Sequence, residues 1–332
     1  MALTAVALAS PDAPDRRPAP TPARNASDTG PDGLLVLAVL TPERAMVADP
    51  RTGATSERRL PGGTFCHGPL LAVGDRVVVS GTQGRRPTAR SLPLAMRGRG
   101  RSLGPAATFT ASRTEGRVWL GHWRQPQVWS DTDRARGSFR EVDATGRPVA
   151  HTTLRVHTWG SLEAVLDDGF LFADGSGLSL RSPGTAPRRF RRAWLVAAGG
   201  SRFAWCQSGC RRLRIWSRDA ERTLDPPAGV RLSPGRPAAF SPAGDRLAAP
   251  VRTRDRDRDR VAIIDLASGA WRLVPGRLAG YRAVAWSPSG RWLYFTGPRD
   301  RVLAWSGGRP VRLPIDTGGA VMSIATTDAS AR

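Results

Sequence analysis

Apolar residues in this chain occur in short runs, and glycines and prolines separate one run from the next. Val261–Leu266 and Val302–Trp305 are typical runs, and each is followed by a glycine-containing turn. An amphipathic helix would instead repeat its apolar positions at helical spacing over about 11 residues or more. Because no such stretch is present, the pattern predicts an all-β chain.

One segment of the chain repeats. The residues from Ala239 to Leu247 align with those from Ala285 to Leu293, 46 positions later, and six of the nine aligned positions are identical or both aromatic. Each copy ends an apolar run on an aromatic residue, passes through Ser-Pro-x-Gly and begins a second apolar run. Since proline presets φ and glycine can adopt positive φ, each copy predicts a β-hairpin.

Weaker copies of the same turn extend through most of the chain. The turn glycines are Gly33, Gly74, Gly116, Gly169, Gly200, Gly244 and Gly290, with a mean spacing of about 43 residues. A four-stranded β-propeller blade takes about 40–45 residues. The spacing therefore predicts a seven-bladed β-propeller, and a six-bladed ring with an irregular region over 107–160 is the alternative.

The two ends of the repeat region predict how the ring closes. The first unit begins at its second strand, Leu34–Leu40, and the chain ends with an unpaired first strand, Ala320–Ala325. Pairing of the two would complete one blade and remove an exposed sheet edge. We therefore expect Val321 and Ile324 in a strand that pairs with Leu34–Leu40. The predicted propeller spans 33–326, between a proline-rich linker and a short disordered tail, 327–332.

The Phe/Trp-Ser-Pro-x-Gly-x-x-Leu units resemble the WD40-like repeats of TolB-type and related β-propellers. The resemblance is clearest over 239–313 and weaker over 33–230. It is a resemblance to a fold family, since the Gly-His and Trp-Asp dipeptides of WD40 repeats are absent from the expected places. It implies a ring of blades and leaves the partner undefined.

The net charge of the chain does not by itself identify a partner. The chain has 332 residues and a formal net charge of +22, and all 50 of its basic residues are arginine. Such a charge is typical of proteins that bind nucleic acid, membranes or acidic partners. The arginines are dispersed from Arg16 to Arg332, however, and the complete absence of lysine fits a codon bias. We therefore do not favour nucleic acid as the partner.

Two cysteines, Cys206 and Cys210, flank a short turn containing Gly209. In a β-hairpin such flanking residues have Cα atoms about 4.5–5.5 Å apart, within disulfide range. We predict a disulfide here, against the alternative of two unrelated small apolar residues. Cys66 is interpreted as a buried thiol.

The N-terminus adds an expectation about location. Met1–Ser10 is apolar but too short to cross a bilayer, and Ala7-Leu8-Ala9 resembles a signal-peptide cleavage site. We expect upstream residues to complete a signal peptide or membrane anchor, followed by a disordered linker over 11–32. With the disulfide, this points to an extracytoplasmic protein, and a frayed cytosolic N-terminus is the alternative.

Two segments are candidate binding sites. The densest aromatic cluster runs from Arg117 to Trp129, and within it His122 and Trp123 lie nearest the predicted turn, where we expect them to be exposed. The second segment alternates charge from Arg254 to Arg260, which predicts a long hairpin loop presenting arginines to carboxylate or phosphate. Its candidate binding residues are Arg254, Arg256, Arg258 and Arg260.

The sequence offers little for catalysis. No nucleophile-elbow, zinc-protease or P-loop motif is present, and we expect neither a metal site nor a cofactor. We interpret the chain as a non-catalytic, monomeric binding or scaffolding module outside the cytoplasm that engages a protein or an anionic cell-envelope component. A membrane contact would involve only the N-terminal anchor. The alternatives are a propeller enzyme acting on glycan or peptide, and a cytosolic WD40-like scaffold.

Overall fold

The computed structural model describes residues 30–40, 43–60, 70–83, 86–123, 134–157, 160–207, 209–218, 220–233, 238–254, 258–278 and 283–328. The chain divides into two compact units, Met1–Gly30 and Pro31–Arg332. Every described strand lies in the second unit.

The described residues form 29 β-strands and a short 3₁₀ turn at Pro298–Asp300, and the strands assemble into seven antiparallel sheets. Numbered along the chain, blade 1 contains β1 (Leu34–Val39), β2 (Arg44–Ala48), β3 (Thr55–Arg59) and the C-terminal β29 (Val321–Thr327). Blade 2 contains β4 (Leu71–Val73), β5 (Arg76–Gln83), β6 (Arg86–Pro93) and β7 (Arg101–Pro105). Blade 3 contains β8 (Thr108–Ala111), β9 (Arg117–His122), β10 (Arg134–Asp143) and β11 (Pro148–His157).

The remaining blades follow the same order. Blade 4 contains β12 (Ser161–Leu166), β13 (Gly169–Asp174), β14 (Gly177–Arg181) and β15 (Arg188–Arg191). Blade 5 contains β16 (Ala193–Gly199), β17 (Arg202–Gln207), β18 (Leu213–Ser217) and β19 (Ala220–Leu224). Blade 6 contains β20 (Val230–Leu232), β21 (Ala239–Phe240), β22 (Arg246–Thr253), β23 (Arg258–Asp265) and β24 (Trp271–Leu273). Blade 7 contains β25 (Val284–Trp286), β26 (Leu293–Thr296), β27 (Val302–Trp305) and β28 (Val311–Arg312).

The first strands of neighbouring blades contact one another in a closed ring, so they line the central channel. We call the strands of each blade A to D from the channel outward; β20 and β21 together form strand A of blade 6. Because successive strands are antiparallel, the A–B and C–D turns lie on one face of the ring. The B–C turns and the D–A connections between blades lie on the other. These are named the A–B face and the B–C face.

The prediction of a seven-bladed β-propeller is confirmed. All seven predicted turn glycines lie at A–B turns, with φ between +57° and +137°. The alternative six-bladed ring is wrong, because 108–157 folds as a regular four-stranded blade. Only glycine adopts such φ angles at little cost, and this explains why the turn glycines repeat once per blade.

The predicted closure is also confirmed. Strand β29 pairs with β1 along its whole length, with Ile324 opposite Leu37 and Val321 opposite Val39. Every residue of β1 is buried. Strand A of blade 1 is therefore supplied by the C-terminal segment and strand B by the N-terminal segment, so β1 is paired on both sides and is not left as a free edge.

Seven apolar clusters fill the seven interfaces between blades. In β1 alternate residues serve two of them: Leu35 and Leu37 pack toward blade 7, and Leu34 and Val36 pack toward blade 2. A strand buried on both faces is apolar without alternation, which is the pattern of Leu34–Val39. The core is thus distributed around the ring.

The Ser-Pro-x-Gly turns also carry polar contacts between blades. Within its own turn, Ser241 accepts a hydrogen bond on Oγ from the Arg246 backbone N–H, at 3.0 Å. The Arg246 side chain reaches the Gly290 carbonyl of the next blade at 2.8 Å and lies 4.6 Å from the Trp286 ring centroid. Arg202 makes the equivalent bond to the Gly244 carbonyl at 2.7 Å. The repeated turns therefore connect adjacent blades on the A–B face.

Candidate functional site

The sequence-predicted site residues that the structure describes lie at one face of the ring. His122 is the last residue of strand B of blade 3 and Trp123 follows it. Cys206 and Cys210 lie at the B–C turn of blade 5, and Arg254 lies at that of blade 6. The up-and-down order of the strands places all three turns on the B–C face.

The expectation of an exposed Trp123 is wrong. Its side chain is only 4% exposed and packs in the cluster between blades 3 and 4, with its ring centroid 5.9 Å from that of Phe139. Gly121 provides the space, since a Cβ there would lie 2.9 Å from the Trp123 ring. His122 is exposed at the end of β9, opposite Ser138. Trp129 lies outside the described residues.

The arginine-aspartate run is not the long loop that the sequence predicts. Strand β22 continues to Thr253 and β23 begins at Arg258, which pairs with Thr253. Arg254 is exposed at the end of β22, Arg260 is half-buried opposite Val251, and Arg256 lies outside the described residues. Cross-strand pairing tolerates these charges because long arginine stems can cover apolar surface while their guanidinium groups reach water.

Cys206 and Cys210 form a disulfide in the structure, with Cα atoms 5.0 Å apart. They are not directly opposite each other on two strands, as the hairpin prediction implied. Strand β17 ends at Gln207, whose carbonyl accepts a bond from the Cys210 N–H at 2.8 Å, and β18 begins only at Leu213. Both cysteines are at most 1% exposed, in the cluster between blades 5 and 6. The disulfide is therefore part of an interface between blades.

Sequence reasoning missed Trp194, a large apolar side chain that is exposed on this face. It is the second residue of β16, lies opposite Cys206 and is 53% exposed. The connection from blade 4 to blade 5 is the single residue Arg192, which has φ +53° and donates its N–H to the Ser176 carbonyl at 2.9 Å. Trp194 lies in the continuous apolar run Ala193–Ala198, whose pattern predicts burial and gives no signal of exposure.

Exposed arginines lie on the B–C face of blade 5, which contains Trp194, and of the two neighbouring blades 4 and 6. With Trp194 they make up what we call the basic patch: Arg191, Arg192, Arg211, Arg212, Arg231, Arg252 and Arg254. Arg212 pairs with Asp225 at 3.1 Å and Arg252 with Asp259 at 3.4 Å. Val230 packs on the cluster that contains both disulfide cysteines, which brings the blade 6 arginines beside blade 5. Positive charge therefore exceeds negative charge on this part of the B–C face.

Carboxylates on the A–B face serve the turns. Hydrogen bonds hold the pKa of Asp143 below its usual value: the larger effect comes from the side-chain hydroxyl of Thr145, and the next from the backbone N–H of Arg147. A bond from the Ser241 hydroxyl likewise lowers the pKa of Asp245, and the backbone N–H and hydroxyl of Ser268 lower that of Asp265. Hydrogen bonds to an ionised carboxylate favour the charged form. These acids are thus engaged in local structure.

The A–B end of the channel opens into a cavity of about 330 Å³, lined by residues of blades 1, 2, 3, 6 and 7. Pro242 and Pro288 of the repeated turns line it, together with the exposed carboxylates Glu115 and Asp328. A second cleft of about 460 Å³ lies between the A–B turns of blades 5 and 6. The face opposite the basic patch therefore contains concave surface of mixed charge.

One carboxylate lies in the channel wall. Glu163 occupies a bulge in β12, where its Oε1 accepts a hydrogen bond from Ser161 Oγ. Burial raises the pKa of Glu163, and the bond from Ser161 opposes this effect. Thr110 Oγ1 of blade 3 donates to the Glu163 carbonyl at 3.1 Å, so blades 3 and 4 are joined at this point.

Two further properties concern only the part of the chain that the structure describes. There, no three His, Cys, Asp or Glu side chains are grouped closely enough to hold a metal ion. No helix within the same ranges has the length and apolar character needed to cross a membrane.

Comparison with solved structures finds other proteins of this shape. A protein from Lactobacillus plantarum aligns with 90% of this chain and 100% of its own at 11% identity and a TM-score of 0.57. A functionally unknown protein from Desulfotomaculum acetoxidans aligns with 89% and 99% at 10% identity and a TM-score of 0.56. Apo AztD from Citrobacter koseri aligns with 90% and 99% at 12% identity and a TM-score of 0.50.

A scan against protein-family models found no match, and a search of curated protein sequences found none either. The structural similarities show the fold alone. The chain is a seven-bladed β-propeller, and this fold by itself does not determine a function.

Proposed function

We propose that this propeller is a non-catalytic binding module whose B–C face engages an acidic protein partner outside the cytoplasm. The observation that carries the proposal is the basic patch, where exposed arginines outnumber exposed carboxylates. Exposed arginines accumulate on the B–C face of blades 4 to 6, whereas Asp143, Asp245 and Asp265 lie in turns of the A–B face.

Arginine is suited to this role. Its planar guanidinium forms paired hydrogen bonds with carboxylates and stacks on aromatic rings. A concentration of one charge on one face also steers an oppositely charged partner toward that face and disfavours wrong orientations. The basic patch can provide both paired hydrogen bonds and electrostatic steering, and the closed ring fixes the strand ends that carry its arginines.

The extracytoplasmic location is supported by two features of the chain. A disulfide such as Cys206–Cys210 persists in oxidising compartments. The apolar Met1–Ser10 and the motif Ala7-Leu8-Ala9 resemble the apolar region and the cleavage site of a signal peptide. Together these features favour a partner in the cell envelope or outside the cell.

Photo-crosslinking in the native host tests the proposal. A photoreactive amino acid replaces Arg211 on the B–C face or, as the matched control, Arg99 in the C–D turn of blade 2; both positions are exposed. We expect a salt-sensitive crosslinked partner from position 211 and none from position 99. Crosslinking from position 99 alone, equal crosslinking from both positions, or no crosslinking from either would reject the B–C face as the binding surface.

A further inference from the structure

We infer that Trp194 anchors the partner, and that the segment it receives is an acidic peptide carrying one apolar side chain among its carboxylates. The inference rests on the proposed function and deepens it, because it names both the contact residue and the chemistry of the ligand. Three features of Trp194 support the inference: its exposure, the contacts that hold its backbone in place, and the arginines near it in the chain.

The exposure of Trp194 is unusual within its own blade. Trp205 and Trp216 of blade 5 are each 4% exposed, whereas Trp194 is 53% exposed on the strand that lines the channel. An exposed tryptophan leaves a large apolar area in water, and burial of such an area against a partner is typical of interface anchors. Trp194 would therefore bury more apolar area against a partner than the other tryptophans of this blade.

The support of Trp194 is rigid. The single-residue connection at Arg192 holds it from one side, and its cross-strand neighbour Cys206 is fixed by the disulfide to Cys210. Arg192 is held in the left-handed region, where non-glycine residues are rare, by its bond to Ser176. A preformed anchor loses little conformational entropy when it binds, which favours affinity.

The charges around Trp194 select an acidic ligand. Arg191 and Arg192 directly precede it in the chain, and Arg211 follows Cys210. On blade 6, Arg231 lies directly opposite Arg252 in the strand register, and Arg252 already pairs with Asp259 at 3.4 Å. Arg191, Arg192 and Arg211 are therefore the arginines closest in the chain and the disulfide loop to Trp194, and they would attract carboxylates on either side of it.

A single anchor fits a peptide better than a nucleic acid. Among the described residues, the exposed large apolar side chains are Val149, Trp194 and Val311, so the basic patch presents one aromatic ring. Proteins that bind single-stranded nucleic acid stack successive bases on several aromatic rings along a basic groove. The basic patch, with one aromatic ring among arginines, is complementary to a peptide that carries one apolar side chain between carboxylates.

A double-mutant cycle tests the inference with defined probes. The first probe is a synthetic peptide of Asp and Glu with one central Phe, and the second has Ser in place of Phe. The full chain, Trp194→Ala and the control Val311→Ala are titrated with both; Val311 is 53% exposed on an outer strand. We expect the full chain and Val311→Ala to bind the Phe peptide at least about tenfold more tightly than the Ser peptide. Trp194→Ala should bind both equally.

Four outcomes would overturn the inference. They are an unchanged ratio of Phe-peptide to Ser-peptide affinity in Trp194→Ala, loss of that ratio in Val311→Ala, binding of neither peptide, and binding of oligothymidylate or polyphosphate as tight as that of the Phe peptide.

A variant with Arg191, Arg192, Arg211 and Arg231 replaced by Ala distinguishes failure of the proposed function from failure of Trp194 as the anchor. If it binds both peptides like the full chain, the proposed function fails; if it weakens both while the ratio does not depend on Trp194, only the anchor fails.

Discussion

At the scale of single residues, the two tryptophans at the B–C face differ in burial: Trp123 is buried and Trp194 is exposed. Trp123 follows strand B of blade 3 and turns into the core, because Gly121 leaves room for its ring beside Phe139. Trp194 is the second residue of strand A of blade 5, and its side chain is 53% exposed. Adjacent arginines and a nearby turn are present in both segments, so sequence alone does not separate them.

We predict that Trp123→Glu strongly destabilises the folded protein. The substitution places a charge among Phe139, Leu154 and Phe172 and removes a large buried ring, and such changes cost about 3–5 kcal/mol. Circular dichroism should show loss of the cooperative melting transition or a strong fall in its midpoint. His122→Glu, at the exposed neighbouring position, serves as the control and should melt like the parent protein. A normal melting curve for Trp123→Glu would contradict its place in the core.

Glu163 supplies a prediction about pH. Because burial raises its folded-state pKa above the unfolded value, ionisation disfavours the folded state, and stability falls as pH rises from the unfolded pKa through the folded one. Glu163→Gln keeps the acceptor for Ser161 and removes the charge. It should therefore melt at a higher temperature than the parent at pH 7, with the difference disappearing below about pH 4. A lower melting temperature at pH 7 would show that the ionised carboxylate stabilises the channel wall.

At the scale of strands and turns, the A–B turns could be predicted from a repeat, whereas the B–C turns of blades 5 and 6 could be predicted only one at a time, from their local sequence. Each A–B turn repeats a glycine that the backbone requires, so its signal returns once per blade. The C–D turns carry a further repeat that was available in the sequence: Asp265 and Gly269 match Asp49 and Gly53, with the aspartate binding backbone N–H groups. The B–C turns have no shared residue pattern, and they are where the basic patch lies.

The arginine-aspartate run illustrates why a charge pattern alone misleads. Alternating charges predict a solvated loop, yet pairing with β22 extends β23 back to Arg258. Tertiary pairing therefore outweighs local preference here, because Asp259 is buried and accepts bonds from Arg252 and Ser233. The candidate residues on this hairpin are consequently divided between strand and turn.

The disulfide of blade 5 is a testable element. Alkylation of the denatured protein, purified from its native compartment without reductant, should modify only one of its three cysteines, and reductant should release the other two. Closing so short a loop stabilises by about 2 kcal/mol in the chain-entropy model. The double variant Cys206→Ala/Cys210→Ala should therefore melt a few degrees lower. Three reactive thiols without reductant would contradict both the disulfide and the argument for an oxidising compartment.

At the scale of the whole molecule, the ring depends on its C-terminal strand. Deleting residues 319–332 removes β29 and exposes β1, whose residues are all buried. Loss of Val321 and Ile324 from the core, together with the open edge, should lower the melting temperature by about 10 °C or more. Deleting only 329–332 keeps β29 and is the matched control. Equal melting curves for the two deletions would contradict closure of the ring by both termini.

The ring brings the exposed arginines of blades 4 to 6 together on the B–C face, and this basic patch is the basis of the proposed function. Two variants with the same net charge test it. One replaces Arg191, Arg192, Arg211 and Arg231 of the basic patch by Ala, and the other replaces Arg97, Arg99, Arg147 and Arg309, exposed at C–D turns of the opposite face. A partner attracted by overall charge alone would respond equally to both.

The most direct measurement is therefore the affinity of both variants for the acidic Phe peptide, titrated across a range of salt concentrations. We expect the first variant to bind at least about tenfold more weakly than the parent and with a reduced salt dependence, whereas the second should bind like the parent. Equal weakening of both variants, or weakening of the second alone, would contradict the claim that the B–C face is the binding surface of this propeller.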